Sequence, residues 1–362
     1  MSSILVVGSG RMGRDLGLWL LRLGHTVRWI SRQPDRLDAL RAHVERVRRR
    51  WQREGGPAAA APEIAFGTPD SLAGLPAPDL LLEAVEEDLA AKRAVLAWVA
   101  TWESQSPLLL STTSSFLPGQ LHPRCLVTHF FFPIELAGLV EVVCPPTVTR
   151  DDLESLRKLL KESHLHVIEQ TAAQAFAVNR LLLPAHAECI RAVGLGLAPA
   201  LADQAAVSGL LGVAPLALAE RVGAATIGAA LANYAAASGA ADDYRELAQA
   251  VAGERHDAPP AGAAVPSLAE ASAVQHALQL NTCLHFIQAG LISTPDLDWL
   301  LRNLYGRPYT LADYLARQDR PALSARLLRL HAQTGRQYFR PANGVWSKPT
   351  ASATTPSSTG PA

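Results

Sequence analysis

The chain has no surplus of either charge: 33 Lys and Arg are matched by 33 Asp and Glu, a formal net charge of +0. Sequence-independent binding to nucleic acid or to an anionic membrane needs an excess of cations, so neither partner is expected. Cysteine is scarce. Cys125, Cys144, Cys189 and Cys283 lie far apart, with no C-x-x-C pair and no zinc-ligand spacing. A disulfide framework and a metal centre are therefore not expected, and the four read as buried thiols of a reducing compartment. No apolar run approaches the roughly 20 residues of a membrane-spanning helix. No basic and apolar leader precedes the first strand pattern at Ile4, so a cytoplasmic location is expected. What the chain does have is 49% hydrophobic and 18% charged residues over 362 positions. That composition builds packed cores, and the length suits about two domains.

Short apolar runs bounded by turn residues predict strands at 4–7, 27–30, 64–66, 80–82, 108–110, 126–128 and 139–143. Helical periodicity fills the intervals at 12–23, 35–53, 87–101 and 150–162. This alternation predicts a Rossmann-type α/β domain over 1–175 with a mostly parallel sheet covered on both faces. From 176 the strand patterns give way to Ala/Leu-rich helical ones. An all-α C-terminal domain is expected there, in two portions at 176–256 and 268–346, joined by a Pro/Gly/Ala-rich linker at 257–267. The Ser/Thr/Pro-rich tail at 347–362 is expected to be disordered.

Gly8-Ser9-Gly10-Arg11-Met12-Gly13 fits G-x-G-x-x-G between the first strand and the first helix. Gly8 permits the turn, Gly10 admits a pyrophosphate to the backbone, and Gly13 lets helix and sheet approach, with phosphate seated on the helix N-terminus. The second strand of such a unit ordinarily ends in a carboxylate that receives the adenosine ribose of NAD. Here it ends Ile30-Ser31-Arg32. An arginine and a hydroxyl suit a 2′-phosphate, which favours NADP over NAD; the plainer reading leaves Arg32 as a solvated surface side chain.

Further along, Ser111 to Ser115 follow an apolar strand and lie at the carboxyl end of the sheet. His129, in Thr128-His129-Phe130-Phe131-Phe132-Pro133, ends the next strand, where a general base would stand. Twelve residues on, Glu141 sits within the apolar Leu139-Val140-Glu141-Val142-Val143. A bare carboxylate is costly to bury, and His129 and Glu141 can satisfy each other as base and orienter. Asn179 would add a neutral donor at the seam between sheet and helices.

Together these motifs resemble the L-3-hydroxyacyl-CoA dehydrogenase family. The resemblance is carried by Gly8 to Gly13, by Leu82-Glu83-Ala84-Val85-Glu86-Glu87-Asp88-Leu89 with Lys92, by Ser111 to Ser115, by His129-Phe130-Phe131 with Pro133, by Leu139 to Val143 and by Val178-Asn179-Arg180-Leu181-Leu182. It implies that His129 exchanges the proton of the 3-hydroxyl while Glu141 holds it. It further implies that Ser114 and Asn179 hydrogen-bond the reacting oxygen or thioester and the cofactor, and that Glu87 and Lys92 lie near the nicotinamide ribose. Read without the resemblance, Glu87 and Lys92 are a surface pair at a helix start. Ala214-Pro215 with Leu218, Glu220 and Gly223, and then Gly290-Leu291-Ile292 through Pro308, Leu311, Ala312 and Asp313, look like two copies of one helical segment. A fused second copy would supply within one chain the contact that shorter relatives make between subunits, giving a monomer or a homodimer.

The pattern departs from the family at Ser31, at Phe132 and across Ala172-Ala173-Gln174-Ala175-Phe176, where the family has Asp, Asn and an Asp-x-x-Gly-Phe hinge; a late glycine-rich segment is missing. The expected function is an NAD(P)-dependent 3-hydroxyacyl-thioester dehydrogenase acting on an acyl-CoA or an acyl-carrier-protein substrate. A dehydrogenase of a free hydroxy acid and a non-catalytic dinucleotide-binding protein are the alternatives. Arg46, Arg48, Arg49, Arg50 and Arg53 read as a solvated helix face, with a coenzyme A phosphate or an acidic carrier protein as the second reading.

Overall fold

A computed structural model describes residues 2–54, 63–72, 76–102, 107–172, 175–223, 227–228, 231, 244–252 and 264–344. Strand and helix alternate as β1 (Ser3–Val7), α1 (Arg11–Arg22), β2 (Thr26–Ile30), α2 (Pro34–Arg53), β3 (Ile64–Gly67), β4 (Leu80–Glu83), α3 (Leu89–Leu96) and β5 (Leu108–Ser111). Then follow α4 (Pro118–Leu121), β6 (Cys125–Phe130), α5 (Ile134–Ala137), β7 (Leu139–Val143), α6 (Arg150–Glu162) and β8 (His166–Gln170). The eight strands form one sheet in the order β3-β2-β1-β4-β5-β6-β7-β8. The first six run parallel, and β7 turns antiparallel to β6 with β8 parallel to β7.

Successive side chains of a strand face opposite ways, so a run such as Leu80-Leu81-Leu82 feeds two cores. Ile4, Val6, Leu80 and Leu82 pack with Leu16 and Leu20 of α1 and Leu156 of α6. Leu5, Val7, Leu81 and Leu109 pack on the other face with Leu96 of α3, and this core runs on into the helical half through Phe176, Leu181 and Leu278. The sheet is thus buried on both sides, as parallel sheets require.

Two differences from the sequence reading matter. The helix expected at 87–101 is a regular helix only over Leu89–Leu96, with a 3-10 turn at Ala97–Thr101; its start is set by Asp88, whose side chain accepts from Ala91 N. The last strand, β8, carried no apolar run that would have marked it. It lies at the sheet edge and reads His-Val-Ile-Glu-Gln, with only Ile168 and Gln170 buried.

The helical half begins with α7 (Ala177–Gly194), α8 (Pro199–Ser208) and α9 (Pro215–Val222). After Arg245–Val251, a long helix, Leu268–Gln288, starts at a capping box of Ser267 and Glu270. It packs on α7 and α8: Gln275 Nε2 donates to Ala185 O at 3.0 Å, and Gln279 accepts from Leu211 N and donates to Ala206 O, both at 2.8 Å. Helices Thr294–Trp299, Leu311–Ala316 and Arg320–Thr334 complete it. One detail recurs in the helical half: Asp203 accepts from Leu216 N at 2.8 Å, and Asp298 accepts from Leu311 N at 2.7 Å, each pair thirteen residues apart. Gly196 and Gly290 both take positive φ after the first helix of their portion. Most of the linker expected at 257–267 and the tail expected to be disordered at 347–362 lie outside the described residues.

Candidate active site

At the carboxyl ends of β1 and β4 the chain encloses a cleft of about 410 Å³. Gly8 has φ 126°, and a Cβ there would lie 2.2 Å from Ala84 O, so both the turn and the contact require glycine. A Cβ on Gly13 would lie 2.3 Å from Gly8 O, whereas one on Gly10 would meet nothing within 4 Å. Gly10 therefore opens on the cleft. It is also the N-cap of α1, which has no side-chain cap, so the first amides of that helix are left for an anion. Arg11 and Met12 line the same space. At the far end Ser31 is buried, its Oγ 3.0 Å from Ser9 Oγ and accepting from Gln33 N. Arg32 and Arg36 line that end too, and Arg32 pairs with Glu86. Both partners of this pair are more than half exposed. The donors, the glycine floor and the helix N-terminus fit a dinucleotide.

The antiparallel turn-back of β7 sets Glu141 directly across from His129 in register. His129 Nδ1 lies 2.8 Å from Glu141 Oε2, and Glu141 is fully buried. The other carboxylate oxygen accepts from Gln170 Nε2 at 2.7 Å and from Val178 N at 3.0 Å. Gln170 in turn accepts from Phe176 N at 2.9 Å. These bonds hold Phe176 in the left-handed region at φ 59°, a costly conformation for a bulky residue. Phe131 and Phe176 flank the imidazole, with ring centroids 4.4 and 5.5 Å away. With Glu141 accepting from Nδ1–H, Nε2 is the nitrogen left to exchange a proton.

A second buried carboxylate stands at the end of β4. Glu83 receives Lys92 Nζ at 3.0 and 3.2 Å and Ser111 Oγ at 2.5 Å. Lys92, 1% exposed, also meets Glu87 at 3.2 Å. Glu87 then gathers the serine loop, accepting from Thr113 Oγ1 and Ser115 Oγ at 2.5 Å and from Ser114 N at 3.1 Å. Burial raises the Glu83 pKa, and Lys92 and the hydrogen bonds do not cancel it. For Glu87 burial also acts upward, but Lys92 and the hydroxyls of Ser115 and Thr113 together outweigh it and hold the carboxyl below its usual value.

Ser114 and Asn179 line a smaller cleft between the sheet and α9. No hydrogen bond joins them to His129 and Glu141 among the described residues. Neither Glu87 nor Lys92 lines the glycine-floored cleft, and Lys92 is enclosed between two carboxylates where a surface pair would be solvated. The arginine face of α2 is largely exposed, with Arg49 and Arg50 paired to Glu45 and Glu54. Sequence reasoning assigned no role to Glu83, Gln170 or His186. Glu83 was marked by its place at the end of Leu80-Leu81-Leu82 with a lysine nine residues on; Gln170 and His186 carried no such sign.

A strand order of 3-2-1-4-5-6 with a glycine turn after the first strand defines a Rossmann-type dinucleotide-binding domain. Residues 3–172 match the 3-hydroxyacyl-CoA dehydrogenase NAD-binding domain. The chain is 28% identical over 204 residues to the mitochondrial hydroxyacyl-coenzyme A dehydrogenase of Sus scrofa, a match covering 52% of this chain and 65% of that protein. It is 28% identical over 190 residues to the peroxisomal bifunctional enzyme of Danio rerio, covering 51% of this chain and 26% of that one. The matched stretch therefore takes in just under two thirds of the first relative and about a quarter of the second. The 3-hydroxybutyryl-CoA dehydrogenase of Escherichia coli K12 shares the fold over 95% of this chain and 97% of its own, with a TM-score of 0.72 at 19% identity. Among the described residues no helix is long and apolar enough to cross a membrane, and no cluster of three or more His, Cys, Asp or Glu could hold a metal.

Proposed function

We propose that this protein is an NAD(P)-dependent 3-hydroxyacyl-thioester dehydrogenase, with His129 as the acid and base. The observation that carries this reading is the His129–Glu141 hydrogen bond, made by a fully buried carboxylate in a dinucleotide-binding domain. A buried carboxylate that fixes one imidazole tautomer and stabilises the imidazolium is the arrangement general acid–base chemistry uses. A protein that only bound a dinucleotide would have no chemical need for it.

Gly8, Gly10, Gly13, Arg11 and Met12 would hold the dinucleotide, which when bound supplies a hydride acceptor or donor. His129 Nε2 takes the proton of the 3-hydroxyl in oxidation and returns it in reduction. Glu141 keeps Nδ1 protonated and offsets the charge that appears on the ring. Ser114, whose backbone Glu87 fixes, and Asn179 hydrogen-bond the oxygen at C3 or the thioester carbonyl. Arg32, Arg36 and Ser31 at the far end of the cleft, with no carboxylate from the end of β2, favour the 2′-phosphate of NADP; Glu86 would release Arg32 to it. The intrachain contacts of the long helix Leu268–Gln288 with α7 and α8 favour two helical copies that pair within one chain, and hence a monomer.

Turnover is tested by the absorbance of reduced nicotinamide with acetoacetyl-CoA. His129→Gln should remove it while leaving NADPH binding, read by fluorescence, unchanged. Absence of turnover with every 3-oxoacyl thioester would overturn the reading. Arg32→Asp should weaken NADPH by roughly 10- to 100-fold, the scale of a lost charge-assisted hydrogen bond, and spare NADH; equal effects on both would remove Arg32 from cofactor choice.

A further inference from the structure

The small cleft behind Ser114 and Asn179 contains a group that the hydride-transfer chemistry does not use. It encloses about 100 Å³, and Leu182, Leu183, Leu218 and Ile227 make its walls apolar. Into it α7 also sets His186, seven residues after Asn179 and so on the same helix face. The two are separated by roughly 10 Å of helix axis.

His186 is buried at 8% exposure, and no described residue hydrogen-bonds it. Burial pushes its pKa down to about 4, and Asp203, pulling the other way, does not restore it. The Asp203 carboxylate is already engaged by the amides of Leu216 and Ala217. The imidazole is therefore neutral at physiological pH, with one N–H donor and one acceptor nitrogen that no described residue matches. Its ring nitrogens are not among the sealed, unmatched atoms of the described residues, so they open on the cleft, where an aliphatic side chain would continue the apolar wall. A ligand oxygen would satisfy the imidazole.

We propose that His186 is a specificity-determining residue whose neutral imidazole hydrogen-bonds a hydroxyl or keto oxygen on the acyl chain, several carbons beyond C3. This rests on the acyl-thioester reading above. The substrate class is then a medium-length oxygenated 3-oxoacyl or 3-hydroxyacyl thioester, in preference to a plain alkyl one. Ser114 and Asn179 mark the thioester end of the cleft, and the helical spacing to His186 sets how far along the chain the second oxygen lies.

The test compares kcat/KM for 3-oxooctanoyl-CoA with that for the same thioester hydroxylated at successive carbons beyond the fourth. The wild type should prefer one hydroxylated isomer by roughly 10- to 100-fold, the discrimination available when a buried polar group is matched or left unpaired. His186→Leu should abolish that preference, raising activity on the alkyl chain and lowering it on the hydroxylated one, and His186→Gln should keep part of it. A purely structural role would move both substrates alike. Turnover without hydroxyl preference in the wild type, or equal changes in His186→Leu, overturns the inference alone. No turnover of any 3-oxoacyl thioester overturns the reading of function and this inference with it.

Discussion

Glu83 and Glu141 are both fully buried carboxylates in neighbouring parts of one sheet, yet they are compensated in opposite ways. Glu83 meets a lysine: Lys92, itself sealed from water, binds it and Glu87, and Glu87 holds the loop of Ser111 to Ser115. Glu141 meets an imidazole and two neutral donors, Gln170 and Val178 N. A lysine partner fixes charge in place and so serves architecture. A histidine partner can pass a proton to and from a reacting group, so the carboxylate beside it can respond to chemistry. Burial of a carboxylate alone does not mark a reaction centre; the kind of partner does.

The sharpest way to break this contrast is to remove each partner in turn. His129→Gln should lower kcat by about 10²- to 10⁴-fold, the usual contribution of a general acid–base, with little change in melting temperature. Lys92→Met should do the reverse in kind. It strands Glu83 and Glu87 and should destabilise the fold by about 3–5 kcal/mol, read from denaturant unfolding. Loss of activity without loss of stability in Lys92→Met would place that cluster in the chemistry and erase the distinction.

A third buried group, His186, adds to the comparison because no described residue hydrogen-bonds it and only the charge of Asp203 acts on it. Its pKa falls from 6.5 to about 4 on folding, so between those values the unfolded chain binds the proton and the folded chain does not. Its contribution to stability is therefore present above pH 6.5 and is lost as pH falls toward 4, by up to on the order of 3 kcal/mol. His186→Leu should flatten that part of the stability–pH curve. A smaller effect follows at neutral pH, where the same variant should melt slightly above the wild type, because an apolar side chain continues the apolar wall of the cleft.

Much of this arrangement was legible in the sequence, and the exceptions have physical reasons. Strands β1, β2 and β4 to β7 announce themselves as apolar runs because they lie inside the sheet with both faces covered, and the edge strand β3, none of whose residues is buried, is marked only by the apolar Ile64-Ala65-Phe66. The edge strand β8 is polar at both ends and too short for alternation to stand out, and with it went Gln170, which orients Glu141. The residues His129 and Glu141 were readable as a pair that could satisfy each other. The antiparallel direction of β7, which sets them face to face, was not, since an apolar run carries no direction. Lys92 looked like one end of a surface pair because helical spacing does not say which way the helix start faces. Ser114 stood out through the resemblance and Asn179 already as a neutral donor at the seam of sheet and helices; His186, on the same face of α7 as Asn179, looked like one more residue of an Ala/Leu-rich helix.

The most direct test of the contrast is to make Glu83→Gln and Glu141→Gln and measure kcat for both, with NADPH binding and melting temperature as controls. Both changes keep shape and remove one charge. Glu141→Gln should lose about a hundredfold or more in kcat while still binding cofactor, because the imidazolium loses its counter-charge. Glu83→Gln should stay within a few-fold of the wild type, because Glu87 still pairs with Lys92. Equal losses in the two variants, or a larger loss in Glu83→Gln, would overturn the contrast.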